Sequence, residues 1–126
     1  MRTLILASGL LVFSAGCARD VIDSVAIETA PDVWRTNAAE QRGETGYYHI
    51  DCPPASDYRS AVWGSNPYTD DSSVCWAGVH AGVITQEGGR VVFEPRPGAD
   101  QYAGTEQNGF VTRDYGAWGG GFYIVP

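Results

Sequence analysis

Lysine is absent from this chain: all eight basic residues are arginine, against fifteen carboxylates, giving a formal net charge of −7. A surface of that sign repels phosphate backbones and bare anionic lipid head groups, which excludes nucleic acid as a partner. Apolar runs long enough to span a bilayer are missing as well. The N-terminal run, residues 4–13, is broken by Ala7, Ser8 and Gly9 and falls short of the ~20 residues a spanning helix needs. Cysteine and histidine are scarce, three and two. A chain of 126 residues leaves room for one domain.

What stands at the N-terminus is a short basic end, Met1-Arg2-Thr3, then the apolar run, then the small residues Ser14, Ala15 and Gly16. That order is a secretory signal, expected over residues 1–16. An apolar first strand or core helix explains it less well, because the polar segment that follows gives it nothing local to pack on. Ser14-Ala15-Gly16-Cys17 resembles the lipobox of bacterial lipoproteins, which implies cleavage before Cys17 and lipidation of Cys17. Ser14 departs from the leucine usual there, so ordinary signal-peptidase cleavage near Gly16 or Ala18 stays open. If Cys17 is acylated, Cys52 and Cys75 remain as an even pair in an oxidising compartment and are expected to form a disulfide. A lipoprotein cysteine carries at least two acyl chains, enough for stable anchoring. Ala18, where aspartate would signal inner-membrane retention in Gram-negative lipoproteins, points by that analogy to the outer membrane. Residues 17–45, with six carboxylates from Asp20 to Glu44 and Pro31 between them, read as the lipidated cysteine and an acidic flexible tether. Val25-Ala26-Ile27 could pack on the domain as a short strand.

From Gly46 the texture changes, and residues 46–126 read as the folded domain. Tyr47-Tyr48-His49-Ile50 is strand-like and stops at Cys52-Pro53-Pro54. Ala61-Val62-Trp63 is another short strand, ended by Gly64 and the Asn66-Pro67 turn signal. One helix is expected over about 71–84. Thr69-Asp70-Asp71-Ser72 supplies capping oxygens and first-turn carboxylates, and a nearly unbroken apolar run follows. A helix apolar all round is buried. Its small residues 77, 78, 81 and 82 let strands come close, and Gly88-Gly89 is the expected exit turn. Residues 90–94 form a strand that Pro95 and Pro97 break. Asn108-Gly109 signals a tight turn between two further strands, and residues 122–125 close the chain. The fold class is α+β: one buried central helix wrapped by short β-strands.

Tyr68-Thr69-Asp70-Asp71-Ser72-Ser73-Val74-Cys75, running on to Val79-His80-Ala81-Gly82-Val83-Ile84, is similar to the central motif of the LCCL domain family. Val62-Trp63-Gly64, Gly88-Gly89, Pro97-Gly98, Tyr102-Ala103-Gly104, Asn108-Gly109 and Tyr115-Gly116-Ala117-Trp118 fall in that family's order and spacing. The resemblance implies a helix enclosed by strands and a non-catalytic binding module of extracellular and envelope proteins, with lipopolysaccharide or other glycans as the ligand class. It implies no binding residue. Trp76 departs from the family, standing where a small or basic residue is usual, and only one cysteine pair is present where some members have two.

Among candidate constellations, Cys75 and His80 are no catalytic dyad. Five residues along a helix turn through about 500°, so their side chains diverge by about 140°. His49, Cys52, Cys75 and His80 lack the paired spacing of thiolate zinc sites, and no metal or other cofactor is expected. Gly116 to Gly121 precedes no helix, so it reads as close backbone packing beside Trp118. Aromatics are the candidate ligand-binding groups, since exposed rings grip sugars and lipid-like surfaces. Trp63, Tyr68 and Trp76 cluster at the helix start, and Trp76 is expected to be partly exposed there, because its glycine and alanine neighbours imply tight packing. The leading reading is a non-catalytic envelope lipoprotein that binds a glycan, lipopolysaccharide or an envelope protein, touching the membrane only through its N-terminal lipid. Two alternatives remain: a small periplasmic hydrolase using Glu87, Glu94 and Asp100, and a structural protein-docking module.

Overall fold

A computed structural model describes residues 22–56 and 59–126; the expected signal (1–16) and Cys17 lie outside these. In chain order come β1 (Val25–Ala26), β2 (Tyr48–Cys52), β3 (Tyr68–Thr69), helix α1 (Val74–Ala81), β4 (Gly89–Ala99), β5 (Glu106–Gln107), β6 (Phe110–Val111) and β7 (Trp118–Ile124). Two single turns of 3-10 helix, Val33–Arg35 and Ala39–Gln41, precede β2. Five strands form one sheet in the order β1-β2-β4-β7-β3, and β5 pairs with β6 as a separate hairpin. The fold is α+β, with α1 lying between the sheet on one side and the β5–β6 hairpin and first 3-10 turn on the other.

The helix is buried on all sides, as its sequence requires: every residue from Val74 to His80 is inaccessible to solvent or nearly so. Gly78 faces β4, where an added Cβ would come within 2.6 Å of a Val91 methyl, so the helix can approach the sheet only as glycine. The helix is shorter than expected. Ser73, not Asp70 or Asp71, caps it, accepting from the Trp76 N–H at 3.1 Å. Gly82, at φ +82°, ends it in the left-handed conformation, six residues before the expected exit. Gly88 instead serves a separate turn, its N–H bonded to Thr85 O at 3.0 Å.

Two further expectations are corrected. Pro95 and Pro97 do not break β4, which runs eleven residues through both. The reason is their position: β2 pairs with β4 only as far as Tyr48 opposite Phe93, so the missing N–H groups fall on a side with no neighbouring strand. Residues 22–45, within the expected tether, are part of the domain. β1 pairs in parallel with β2, while Trp34 and Ala38 join the core. The Trp34 indole N–H donates to Pro53 O at 2.7 Å, and Ser73 Oγ donates to Trp34 O at 2.7 Å. Ala61-Val62-Trp63 contributes a single bridge, Trp63 to Arg113, and no strand. The Asn108-Gly109 turn is where it was expected, with φ of +52° and +76°, the pair of positive values a two-residue hairpin demands. Cys52 and Cys75 are disulfide-bonded.

Candidate functional site

Of the three aromatic candidates, only Trp63 reaches the surface, half-buried. Tyr68 and Trp76 are core residues, which corrects the expectation that Trp76 is partly exposed. Trp76 points away from Gly78 and the tightly packed sheet side, because two helical positions differ by about 200°. It enters a slot between Trp34, with ring centroids 4.6 Å apart, and Phe110, stacked at 5.2 Å. Arg59 lies over both the Trp76 and Phe110 rings.

Tyr68 is fixed by the buried His80. Its hydroxyl lies 2.8 Å from His80 Nδ1, while His80 Nε2 is 3.0 Å from Thr105 Oγ1 and 3.3 Å from Thr105 O. Thr105 O can only accept, so the network assigns the proton to Nε2 and leaves Nδ1 to accept from Tyr68. Burial pushes the His80 imidazole below its ordinary value near 6.5, although the Thr105 backbone contact pulls the other way. A lowered folded-state value means stability is fully present above pH 6.5 and declines as pH falls below it, because the unfolded chain then binds the extra proton. Urea melts at pH 7.5 and pH 5 should therefore differ, with the acid one weaker and the difference shrunken in His80→Gln; equal pH dependence in the variant would contradict this.

Around Trp63 the fold assembles a surface that no single sequence window displays. Tyr115, 43% exposed, meets Trp63 edge-on at 6.2 Å and Trp118 edge-on at 5.6 Å. The guanidinium of Arg42 continues the series, 5.8 Å from the Trp118 ring centroid. The row is held from beneath. Tyr115 and Tyr102 exchange both backbone hydrogen bonds, at 2.8 and 2.9 Å. Trp118 Nε1 donates to Asp70 Oδ1 at 2.8 Å, and Arg42 grips the same carboxylate through Nε (2.7 Å) and Nη2 (2.9 Å). The Asp70 side chain is 2% exposed. Burial alone would raise its carboxyl, but the hydrogen bonds from Arg42 and Trp118 outweigh that and hold it below the usual carboxylate value, so it is ionised and paired at neutral pH. The Asp70–Arg42 pair accounts for two of the three glycines at positions 119–121 of β7. A side chain on Gly120 would collide with Asp70 and Arg42, and one on Gly119 would meet Arg42 Nη1 at 2.8 Å. Two open grooves flank the row, one of ≈ 430 Å³ beside Tyr115 and Gly116 and one of ≈ 480 Å³ between residues 42–46 and 94–98.

Residues 27–122 match the description of the LCCL domain. The chain belongs to the LCCL domain family. Its LCCL domain is similar to parts of larger animal proteins: 34% identical over 76 residues to vitrin of Bos taurus, 34% over 65 residues to cochlin of Homo sapiens, and 39% over 66 residues to cysteine-rich secretory protein LCCL domain-containing 2 of Homo sapiens. These stretches are 60%, 52% and 52% of this chain but only 12%, 12% and 13% of those proteins, so what is shared is the LCCL domain.

Within this LCCL domain the carboxylates suggested for hydrolysis do not converge. Glu94 is paired with Arg96 at 3.2 Å, Glu87 lies in the turn before β4, and Asp100 lies past its end. Six residues of extended chain separate Glu94 from Asp100, about 20 Å. The four residues weighed as zinc ligands are engaged elsewhere: Cys52 with Cys75, His80 with Tyr68 and Thr105, and His49 Nδ1 with Ser24 Oγ at 2.7 Å. Tyr115, Trp118, Arg42 and Asp70 were not singled out from sequence as site residues. The available signal was the Tyr115–Trp118 motif fragment, which reads equally well as core.

Proposed function

We propose that this chain is an exported, lipid-anchored envelope protein whose LCCL domain is a non-catalytic module binding glycan, lipopolysaccharide included, along the Trp63–Tyr115–Trp118 row. The row itself carries the reading. Aromatic faces at the surface offer apolar area to the C–H faces of sugar rings, and Asp70 and the Tyr102 bridge fix them in advance, so little ordering is lost on binding. Cys17 is the anchor, and the Cys52–Cys75 pair suits an oxidising compartment outside the cytosol. Among the described residues no helix is long and apolar enough to cross a membrane.

The test has two halves. Tyr115→Ala and Trp63→Ala should each lower retention on immobilised lipopolysaccharide or a glycan array about tenfold, equivalent to ~1.4 kcal/mol, with little change in melting temperature. Unchanged binding in both would remove the row as the site. Cys17→Ser should leave the precursor uncleaved or release the domain in soluble form; a processed variant still on the membrane would place the anchor elsewhere.

A further inference from the structure

We infer that the groove between residues 42–46 and 94–98 is a recognition site for an uncharged polyhydroxyl ligand, a neutral saccharide, rather than for a phosphorylated or carboxylated one. This rests on the glycan-binding reading and narrows it: in a lipopolysaccharide, the part held would be neutral sugar.

The groove wall is a strand edge that can only accept hydrogen bonds. Val125 N–H donates to Val92 O at 2.9 Å, so even-numbered backbone groups of β4 turn towards β7 and odd-numbered ones towards β2. β2 stops pairing at Phe93. The carbonyls of Pro95 and Pro97 therefore face the space that β2 would have continued into, and residues 43–46 bound that space instead. Neither proline has an N–H. An added β-strand must accept as well as donate along an edge, and here it would find no donors, so strand addition is blocked. A saccharide supplies the missing half, since each hydroxyl carries a proton to give.

Charge selects against anions. Arg42 commits Nε and Nη2 to Asp70, and Arg96 pairs with Glu94 while lying 4.8 Å from the Tyr123 ring centroid. Glu44 adds a further carboxylate to the lining. The two guanidiniums are thus balanced by Glu44 and Glu94 before Asp70 is counted, and no surplus positive charge is left to receive a phosphate or a uronate. Arg42 also brings a donor: its Nη1, which Asp70 does not engage, lies over the bare backbone of Gly119 at the groove floor. It suits a ring or hydroxyl oxygen. Through Arg42 and Trp118 the groove joins the aromatic row, so a chain of sugars can stack on the row and be hydrogen-bonded in the groove.

The test is a titration of ¹⁵N-labelled protein with maltotetraose, cellotetraose and chitotetraose, and with an acidic oligogalacturonate of equal length. At least one neutral oligomer at millimolar concentration should shift the amides of Gly43, Gly46, Gly98 and Gly119 and the Arg42 Nε–H. The acidic oligomer should bind about tenfold more weakly or worse. Thr45→Trp, an exposed substitution in the lining loop, should fill the groove and cut neutral-sugar affinity about tenfold without changing the melting temperature. Tighter binding of the acidic oligomer, or unchanged affinity in Thr45→Trp, would overturn the inference. Shifts confined to Trp63 and Tyr115 would overturn the groove and leave glycan binding on the row standing; shifts at neither place with any oligomer would overturn both.

Discussion

Trp76→Ala should destabilise the domain by about 3–5 kcal/mol, the range for truncating a buried tryptophan. The indole is wholly inaccessible, stacked on Phe110 and with Trp34 tilted against it. Alanine would leave a void in that slot that its rigid aromatic walls cannot collapse to fill. Trp76→Phe separates packing from polarity. Among the described residues the Trp76 Nε1 donor is buried without a partner, and a buried unsatisfied donor costs about 1–3 kcal/mol. Phenylalanine removes that donor and keeps most of the ring contact, so its cost should be much smaller than alanine's. Chemical denaturation of the three proteins decides it. A Trp76→Ala variant that melts with the parent would show the indole to be outside the core.

Opening the Cys52–Cys75 disulfide should have the next largest effect. The bond links residues 23 apart in sequence, and closing a loop of that length in the unfolded chain corresponds to about 3 kcal/mol. It also ties the end of β2 to the first turn of α1, against the 3-10 turn that supplies Trp34. For a domain of about 100 residues, a loss of that size lowers the melting temperature by roughly 12–24 °C. The Cys52→Ala/Cys75→Ala double variant should show it. Intact mass of the parent should rise by two hydrogens on reduction under denaturing conditions, because Cys75 is fully buried in the native state. Two free thiols in the native protein would end the claim.

Cysteine counting carried the Cys52–Cys75 pair, and local signals carried the helix, its burial and the Asn108-Gly109 hairpin. These follow from residue type at short range: an apolar run with no polar face must be buried, and a turn needing two positive φ values selects its residues. Strand and domain limits were less legible. Pro95 and Pro97 break a strand only if it has neighbours on both sides, and whether β2 extends that far depends on where a chain segment some forty residues earlier turns away. The acidic composition of residues 17–45 likewise concealed Trp34, whose burial depends on a partner surface made by α1 and Pro53.

The sequence by itself determined the sign of the charge, the fold class and the family, because each depends on composition or on motifs continuous along the chain. Only the tertiary structure decided which aromatics face the solvent. Trp63, Trp76 and Trp118 are the same residue type in similarly apolar surroundings, and what separates them is contact with distant segments: Phe110 and Trp34 close over Trp76, whereas Asp70 holds Trp118 by its indole N–H and the Arg42 guanidinium lies over its ring, leaving Trp118 partly exposed.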